Sequence, residues 1–277
     1  ARTEAKNAFG NDEVYMEKYP QRPRHIEIRV FGDGKGRAVH LGERDCSLQR
    51  RNQKVVEETP AAHLPEATRQ KLHQAAVELG KSVNYRSAGT VEFIYDAARD
   101  EFYFLEVNTR LQVEHPVTEM ITGVDIIEQQ LRIAAGLGLN LQQSDIKVTG
   151  HAIECRINAE DPRTFAPSPG TVSLYHPAGG MGVRMDSHLY SGYSIPSYYD
   201  SLIGKLIAHA HSRPKAIARL KQALDETIID GIKTNIPLHR QLILEDANFC
   251  ASAVDIHYLE KHLLATADGE KTISADS

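Results

Sequence analysis

The chain has 277 residues, 41% of them apolar and 25% charged, and a formal net charge of -5. This balance allows a sizeable core and excludes fibrous or disordered classes, while a net negative charge without a basic stripe argues against nucleic-acid binding. No run reaches the ~18 apolar residues of a membrane helix, and Cys46, Cys155 and Cys250 lack CxxC spacing, so neither a disulfide frame nor a zinc site is expected and a reducing cytoplasm is the natural compartment.

The opening residues, ARTEAKNAFGNDEV, are charged, lack an apolar signal core and read as the interior of a longer chain. YMEKYP (15–20) sets Glu17 and Lys18 where a strand meets a proline, which fits a hinge whose backbone could meet a nucleotide base. HIEIRVFGD (25–33) alternates and ends at Asp33-Gly34, and AVHLGERD (38–45) returns, so a β-hairpin is predicted. The glycines of GDGKG belong to that turn, since GxxxxGK[ST] is absent and no helix opens there. From residue 64 to about 83, Leu72, Ala75, Ala76, Leu79 and Val83 recur at helical spacing, with Pro65 suited to a first helical position.

TVEFIYD (90–96) and EFYFLEVN (101–108) predict a second hairpin, and VDIIEQQLRIAAG (124–136) a helix capped by Asp125 and stopped by Gly136. HAIECRINAE (151–160) reads as the strand that opens a second unit, after which FAPSPG and HPAGGMGVR form loops between short strands. SLIGKLIAHA (201–210) predicts a strand, PKAIARLKQALDETI (214–228) and IPLHRQLILED (236–246) two helices, and ATADGEKTISADS a frayed tail.

LEVNTRLQVEH (105–115) places Glu106, Asn108, Arg110, Gln112 and Glu114 at every second position, so an extended chain would carry them on one edge. Glu92 on the partner strand would join Glu106 and Asn108 in a hard-oxygen set of the kind magnesium takes beside phosphate oxygens. On spacing alone, a solvated polar face is the commoner meaning. Arg110 can fork onto a planar anion and Glu114 can act as a general base, and asparagine, a poor strand former, leans the choice toward a site. The basic run RDCSLQRRNQKVVEE (44–58) brings Arg44, Arg50, Arg51 and Lys54, either as a salt-bridged surface or as cations facing that edge. No HExxH or GxSxG pattern is present.

In order, EKYPQRPRHIEI, GERDCSLQRRNQKVVEE, AGTVEF, EVNTRLQVEHPVTEMITGVD, GHAIECRINAED and YYDSLIGKLI resemble the biotin carboxylases of the ATP-grasp superfamily, over residues 1 to about 262. The resemblance implies an α+β fold: the C-terminal half of an ATP-grasp fold, an antiparallel sheet with helices, followed by the biotin carboxylase C-terminal domain. Residues 1–19 would end the lid at its last strand, 20–150 would form the second ATP-grasp subdomain, 151–262 the C-terminal domain and 263–277 a tail.

It further implies that Glu17, Lys18, Tyr19 and Pro20 meet the adenine, with His25, Gln49 and Asn52 also on the nucleotide side. Glu92, Glu106 and Asn108 would hold Mg2+ or Mn2+ at the ATP phosphates. Lys54, Arg110, Gln112 and Val113 would hold bicarbonate, Glu114 would deprotonate it, and Arg156 would steady the biotin enolate. The implied reaction is ATP-dependent carboxylation of biotin on a carrier protein, by a cytoplasmic homodimer working with a carboxyltransferase in fatty acid synthesis.

Motifs of the acetyl-CoA carboxylase type dominate, but RRNQKVVEETPA and IYDAARDEFYFLEVN are closer to urea carboxylases, and Asn52 stands where the former commonly carry histidine. Family members also have an N-terminal domain and most of a lid ahead of these motifs, so a fragment of this sequence is expected to be inactive alone. A non-catalytic assembly module is the rival reading. A carbamoyl phosphate synthetase would share the metal edge but not RLQVEHPVTEM followed by ECRINAED.

Overall fold

The computed structural model describes residues 1–267. Its centre is an eight-stranded, wholly antiparallel sheet in the order β5-β4-β1-β2-β3-β6-β11-β9. The strands are β1 (Pro23–Asp33), β2 (Ala38–Arg50), β3 (Gln53–Thr59), β4 (Arg86–Asp96), β5 (Glu101–Asn108), β6 (His151–Asn158), β9 (Val183–Ser187) and β11 (Leu202–Ala210). Four short strands, β7 (Gly170–Thr171), β8 (Leu174–His176), β10 (Ser194–Ile195) and β12 (Ile228–Asp230), pair off the sheet as β7 with β10 and β8 with β12. The helices are α1 (Arg2–Phe9), α2 (Glu66–Ser82), α3 (His115–Thr122), α4 (Ile126–Ala134), α5 (Arg213–Glu226), α6 (Ile236–Leu238), α7 (Ala247–Cys250) and α8 (Tyr258–Ala267).

Both predicted hairpins form, and their alternation decides which side chains share a face. On β1, Ile26, Ile28 and Val30 join Val91, Phe93, Leu72 and Ala76 in a core beneath α2. Further along, Cys155, Ile157, Leu206 and Ala208 pack with Ala216 and Leu220 of α5 on the same side, because Val56 pairs with Cys155 and Glu58 with Ile153. The residues between them, Glu27, Arg29, Arg44, Glu57 and Glu154, therefore lie on the opposite side. There α3 packs through Val117 and Ile121 onto Ala152 and Ile207, and α4 packs through Ile126 and Ile133 onto Phe31 and Val39. Each residue of this polar layer is at most 2% exposed, so neither face of the sheet centre reaches water.

Several expectations need correction. The lid strand expected within residues 1–19 is absent: α1 occupies 2–9, and no strand forms through Glu17, Lys18 and Tyr19. Pro65 caps α2 in an extended conformation (φ -57°, ψ 137°) and is not its first helical residue. The segment 236–246 begins as α6 but widens into a π-helical turn over His239–Leu244. β6 does not open a separate sheet, since it hydrogen-bonds to β3 and one sheet runs through residue 150. The helix α8 extends through Ala267 into the expected tail, and residues 268–277 lie outside the described residues. Among the described residues no helix is long and apolar enough to cross a membrane.

Candidate active site

The polar edge expected from Glu106 to Glu114 is not a single strand. β5 ends at Asn108, the chain turns, and Glu114 caps α3, so residues 106–114 do not form one extended row. Glu106 and Asn108 remain on the strand, cross-paired with Glu92 and Thr90. Arg110 is exposed and folds one arm onto the Leu111 carbonyl at 3.2 Å. Gln112 and Glu114 turn under the sheet, 3% and 2% exposed.

Gln112 is the hub of the buried layer. Its carbonyl accepts from Arg44 (2.6 Å), Thr90 (2.6 Å) and Arg29 (3.1 Å), and its amide donates to Glu92 (2.8 Å) and Glu27 (3.2 Å). Lys54 Nζ sits among three carboxylates, Glu27 at 2.6 Å, Glu114 at 2.7 Å and Glu92 at 3.1 Å. Burial opposes the charge on Lys54, yet Glu27, Glu114 and Glu92 outweigh it and raise its pKa. For Glu27 burial is likewise overcome, by Arg44 and Lys54, and its pKa lies well below the usual range.

Lys54 reaches this layer because of register shifts. Along β2 and β3 the pairing passes from Asp45–Glu58 to Leu48–Val56 and then to Gln49–Lys54, so each strand carries an extra residue. Lys54 would otherwise share the α5 side with Val56 and Glu58; the bulge turns it over. The hairpin closes through Arg51 and Asn52, with φ of 49° and 61°, the left-handed pair of a type I′ turn.

Arg156 completes the floor. Its Nη2 donates to Glu114 Oε2 at 3.0 Å and its Nε to Glu57 Oε1 at 2.5 Å, while burial is outweighed by Glu57, Glu114 and Glu154, which raise its pKa. Glu114 thus has one oxygen on Lys54 and the other on Arg156. Two donors, Asn235 Nδ2 (2.9 Å) and the His239 imidazole (2.8 Å), meet at the Arg156 backbone carbonyl. Lys205 on β11 donates to the Val113 carbonyl at 2.9 Å.

These groups line one cleft of about 850 Å3. Its lining includes His25, Asn52, Lys54, Glu92, Glu106, Asn108, Arg110, Gln112, Val113, Glu114 and Arg156, together with residues of the C-terminal part from His188 to Ile203. Gln49 lies behind the wall, buried, with its amide 2.9 Å from His25 Nδ1. Glu17, Lys18, Tyr19 and Pro20 do not line the cleft. Lys18 instead pairs with Glu101 at 2.5 Å and bonds the Tyr103 hydroxyl, and Tyr19 lies 3.5 Å from His257.

The metal expectation fits the donor set. Asn108 Nδ2 bonds both Glu92 (2.9 Å) and Glu106 (3.1 Å), so the three are held together, and Glu106 stays exposed at the cleft. All can present hard oxygens once the amide turns, which suits Mg2+ or Mn2+. His25 Nε2 lies 2.9 Å from the other Glu92 oxygen. Arg44 is among the cations that the basic run offers to this side, whereas Glu27, Arg29, Glu57 and Glu154 carry no signal as site residues, because alternating strands read as polar-out; the usable signal is Gln112 and Glu114 followed by a proline-led helix, which puts a lid over that polar side.

An antiparallel sheet with a carboxylate pair near its edge and a cation-lined floor beneath fits the ATP-grasp site that the resemblance implies. Residues 1–142 match the model described as carbamoyl-phosphate synthase L chain, ATP binding domain, and residues 154–261 that of the biotin carboxylase C-terminal domain. A biotin carboxylase of Haemophilus influenzae is 60% identical over 262 residues, 95% of this chain and 58% of the relative. The chain therefore spans little more than half the length of that curated protein. A biotin carboxylase–βγ-ATP complex from Campylobacter jejuni superposes with a TM-score of 0.87 at 52% identity, covering 94% of this chain and 58% of that one. The biotin carboxylase domain dimer of Hydrogenobacter thermophilus 2-oxoglutarate carboxylase, in complex with MgADP, ADP and bicarbonate, gives 0.87 at 47% identity over 98% and 59%. The chain belongs to the biotin carboxylase family.

Proposed function

We propose that this chain supplies the metal, bicarbonate and biotin-facing parts of a biotin carboxylase active site, which uses ATP and bicarbonate to carboxylate biotin on a carrier protein. The observation that carries it is Glu114, buried at the cleft floor with its two oxygens fixed by Lys54 and Arg156. A carboxylate so oriented can remove the proton of bicarbonate as bicarbonate attacks the γ-phosphate. Lys54 and the exposed guanidinium of Arg110 hold the anion there, beside the backbone of Gln112 and Val113, and Lys205 sets the peptide at Val113.

Glu92, Glu106 and Asn108 would hold Mg2+ or Mn2+, which when bound neutralises the β- and γ-phosphate oxygens. His25 lies beside Glu92 on the cleft wall, and Asn52 faces the nucleotide from the β2–β3 turn. The carboxyphosphate formed breaks down to carbon dioxide and phosphate, and phosphate takes the ureido proton of biotin. Arg156 lies on the cleft floor as the cation beside the resulting enolate-like anion, which captures the carbon dioxide. Biotin on its carrier protein, a carboxyltransferase and acetyl-CoA as final acceptor, in cytoplasmic fatty acid synthesis by a homodimer, complete the proposal.

The chain should be assayed alone and fused behind the N-terminal region of its 60% identical relative. The fusion is expected to cleave ATP only with bicarbonate, faster when free biotin is added; no stimulation by biotin would refute the reading. Glu114→Gln in that fusion should lower turnover ~10²–10⁴-fold with nucleotide binding retained.

A further inference from the structure

Beneath Arg156 lies a feature that the proposed chemistry leaves unused. Glu57 on β3 and Glu154 on β6 are directly cross-paired, and both are 0% exposed. Of their four carboxylate oxygens, only Glu57 Oε1 has a hydrogen-bond partner among the described residues, Arg156 Nε at 2.5 Å. Two carboxylates opposite each other in a dry sheet cannot both ionise cheaply, because like charges at that spacing and loss of water both favour the neutral form.

We propose that Glu57 and Glu154 hold one proton and one negative charge between them, with Glu154 as the neutral acid, and that this pair is a positioning device for Arg156. The facing groups support the division. Burial and the facing Glu114 raise the Glu57 carboxyl too, but Glu57 has the Arg156 guanidinium bonded to it and Lys54 beyond, which oppose that rise, whereas neither oxygen of Glu154 has a hydrogen-bond partner among the described residues. Glu154 faces Glu57 from β3, Arg156 on its own strand, Lys205 from β11 and Glu114 at the head of α3. From α3, His115 bonds the Gln112 backbone carbonyl at 2.8 Å and Glu119 is taken by Arg184 at 2.7 Å. Burial first, and Glu57 second, push the Glu154 carboxyl well above its usual range.

A single charge at Glu57 holds the Nε side of Arg156, which leaves Nη2 to Glu114 and turns the guanidinium toward the cleft. A second charge at Glu154 would compete with Glu114 for the same cation. As an acid whose folded pKa is raised, Glu154 lowers stability progressively as the pH rises above the ordinary carboxylate range.

This inference rests on the proposed function only for its link to biotin, and its test separates the two. In chain labelled with 13C-carboxyl glutamate, infrared spectra at neutral pH should show a protonated-carboxyl band that Glu154→Gln removes. Absence of the band, or its persistence in the variant, overturns the proposal whether or not the enzyme reading holds. Glu154→Gln should also gain stability over the parent as the pH rises; parallel pH dependences overturn it. In the active fusion, the KM for biotin of the parent should climb at alkaline pH while that of Glu154→Gln stays flat, and equal climbs count against it. Should the variant fail to fold, the infrared spectrum of the parent chain decides alone.

Discussion

Lys54 is the side chain this site can least spare, since three buried carboxylates share its one ammonium group. Lys54→Met should cost about 3–5 kcal/mol in denaturant unfolding, because it removes the ammonium shared by three buried carboxylates and leaves Glu27 with Arg44 alone, Glu114 with Arg156 alone and Glu92 with no lysine or arginine against it among the described residues. A loss below about 1 kcal/mol would mean that Arg44 and Arg156 suffice. Asn52 is constrained for a different reason: at φ 61° it occupies a conformation few side chains accept. Asn52→Gly should be within a few tenths of a kcal/mol of the parent and Asn52→Ala about 1 kcal/mol less stable, measured by thermal unfolding.

The site depends on elements that reach it from the C-terminal part of the chain. Lys205 ties β11 to the Val113 carbonyl, so in the active fusion Lys205→Met should raise the KM for bicarbonate several-fold and leave that for ATP nearly unchanged. Equal changes in both would remove Lys205 from the bicarbonate loop. His239 supports Arg156 from behind and is fully buried, and burial holds its imidazole at about 4, below the ordinary 6.5. A base depressed in this way contributes its full stability above pH 6.5 and loses it as the pH falls toward 4, because only the unfolded chain then takes up the proton. The loss over that window should be on the order of 3 kcal/mol by denaturant titration, and His239→Gln should flatten it.

At this scale the sequence was legible where alternation or helical spacing met a turn signal. The hairpins turning at Asp33-Gly34 and running from Arg86 to Asn108, α4 with its Asp125 cap bonded to Glu128 at 2.8 Å, and α5 all follow such patterns. It misled where local pattern and tertiary burial part company. HIEIRV looks half solvated, yet its polar face is roofed by α3 and the 109–114 turn. Lys54 lies on the cleft side only because of bulges that no residue type announces. The even spacing from Glu106 to Glu114 brings together five residues that do line the cleft, but for a wrong geometric reason, since they do not lie on one extended edge.

For the whole molecule, the continuous sheet means that residues 1–150 and 151–267 are not independent. Residues 1–150 expressed alone would expose the β3 edge and the underside of α3, and they should unfold at lower denaturant than the full chain or aggregate. The full chain should show one cooperative transition by circular dichroism and by tyrosine fluorescence; two separated transitions would mean that the sheet is only loosely joined at β3–β6.

The β3–β6 pairing also sets a timetable. The hairpins of β1 with β2 and of β4 with β5 close over short stretches of chain, whereas Thr59 must find Ala152. Long closures are entropically slower, so this seam should zip late in folding. Glu114 can meet Arg156 only after it has zipped. A chain caught midway, with its hairpins formed, would therefore have a metal edge but no assembled floor beneath it. Pulse-labelled hydrogen exchange should then find the amides of β6 protected after those of β1 and β4.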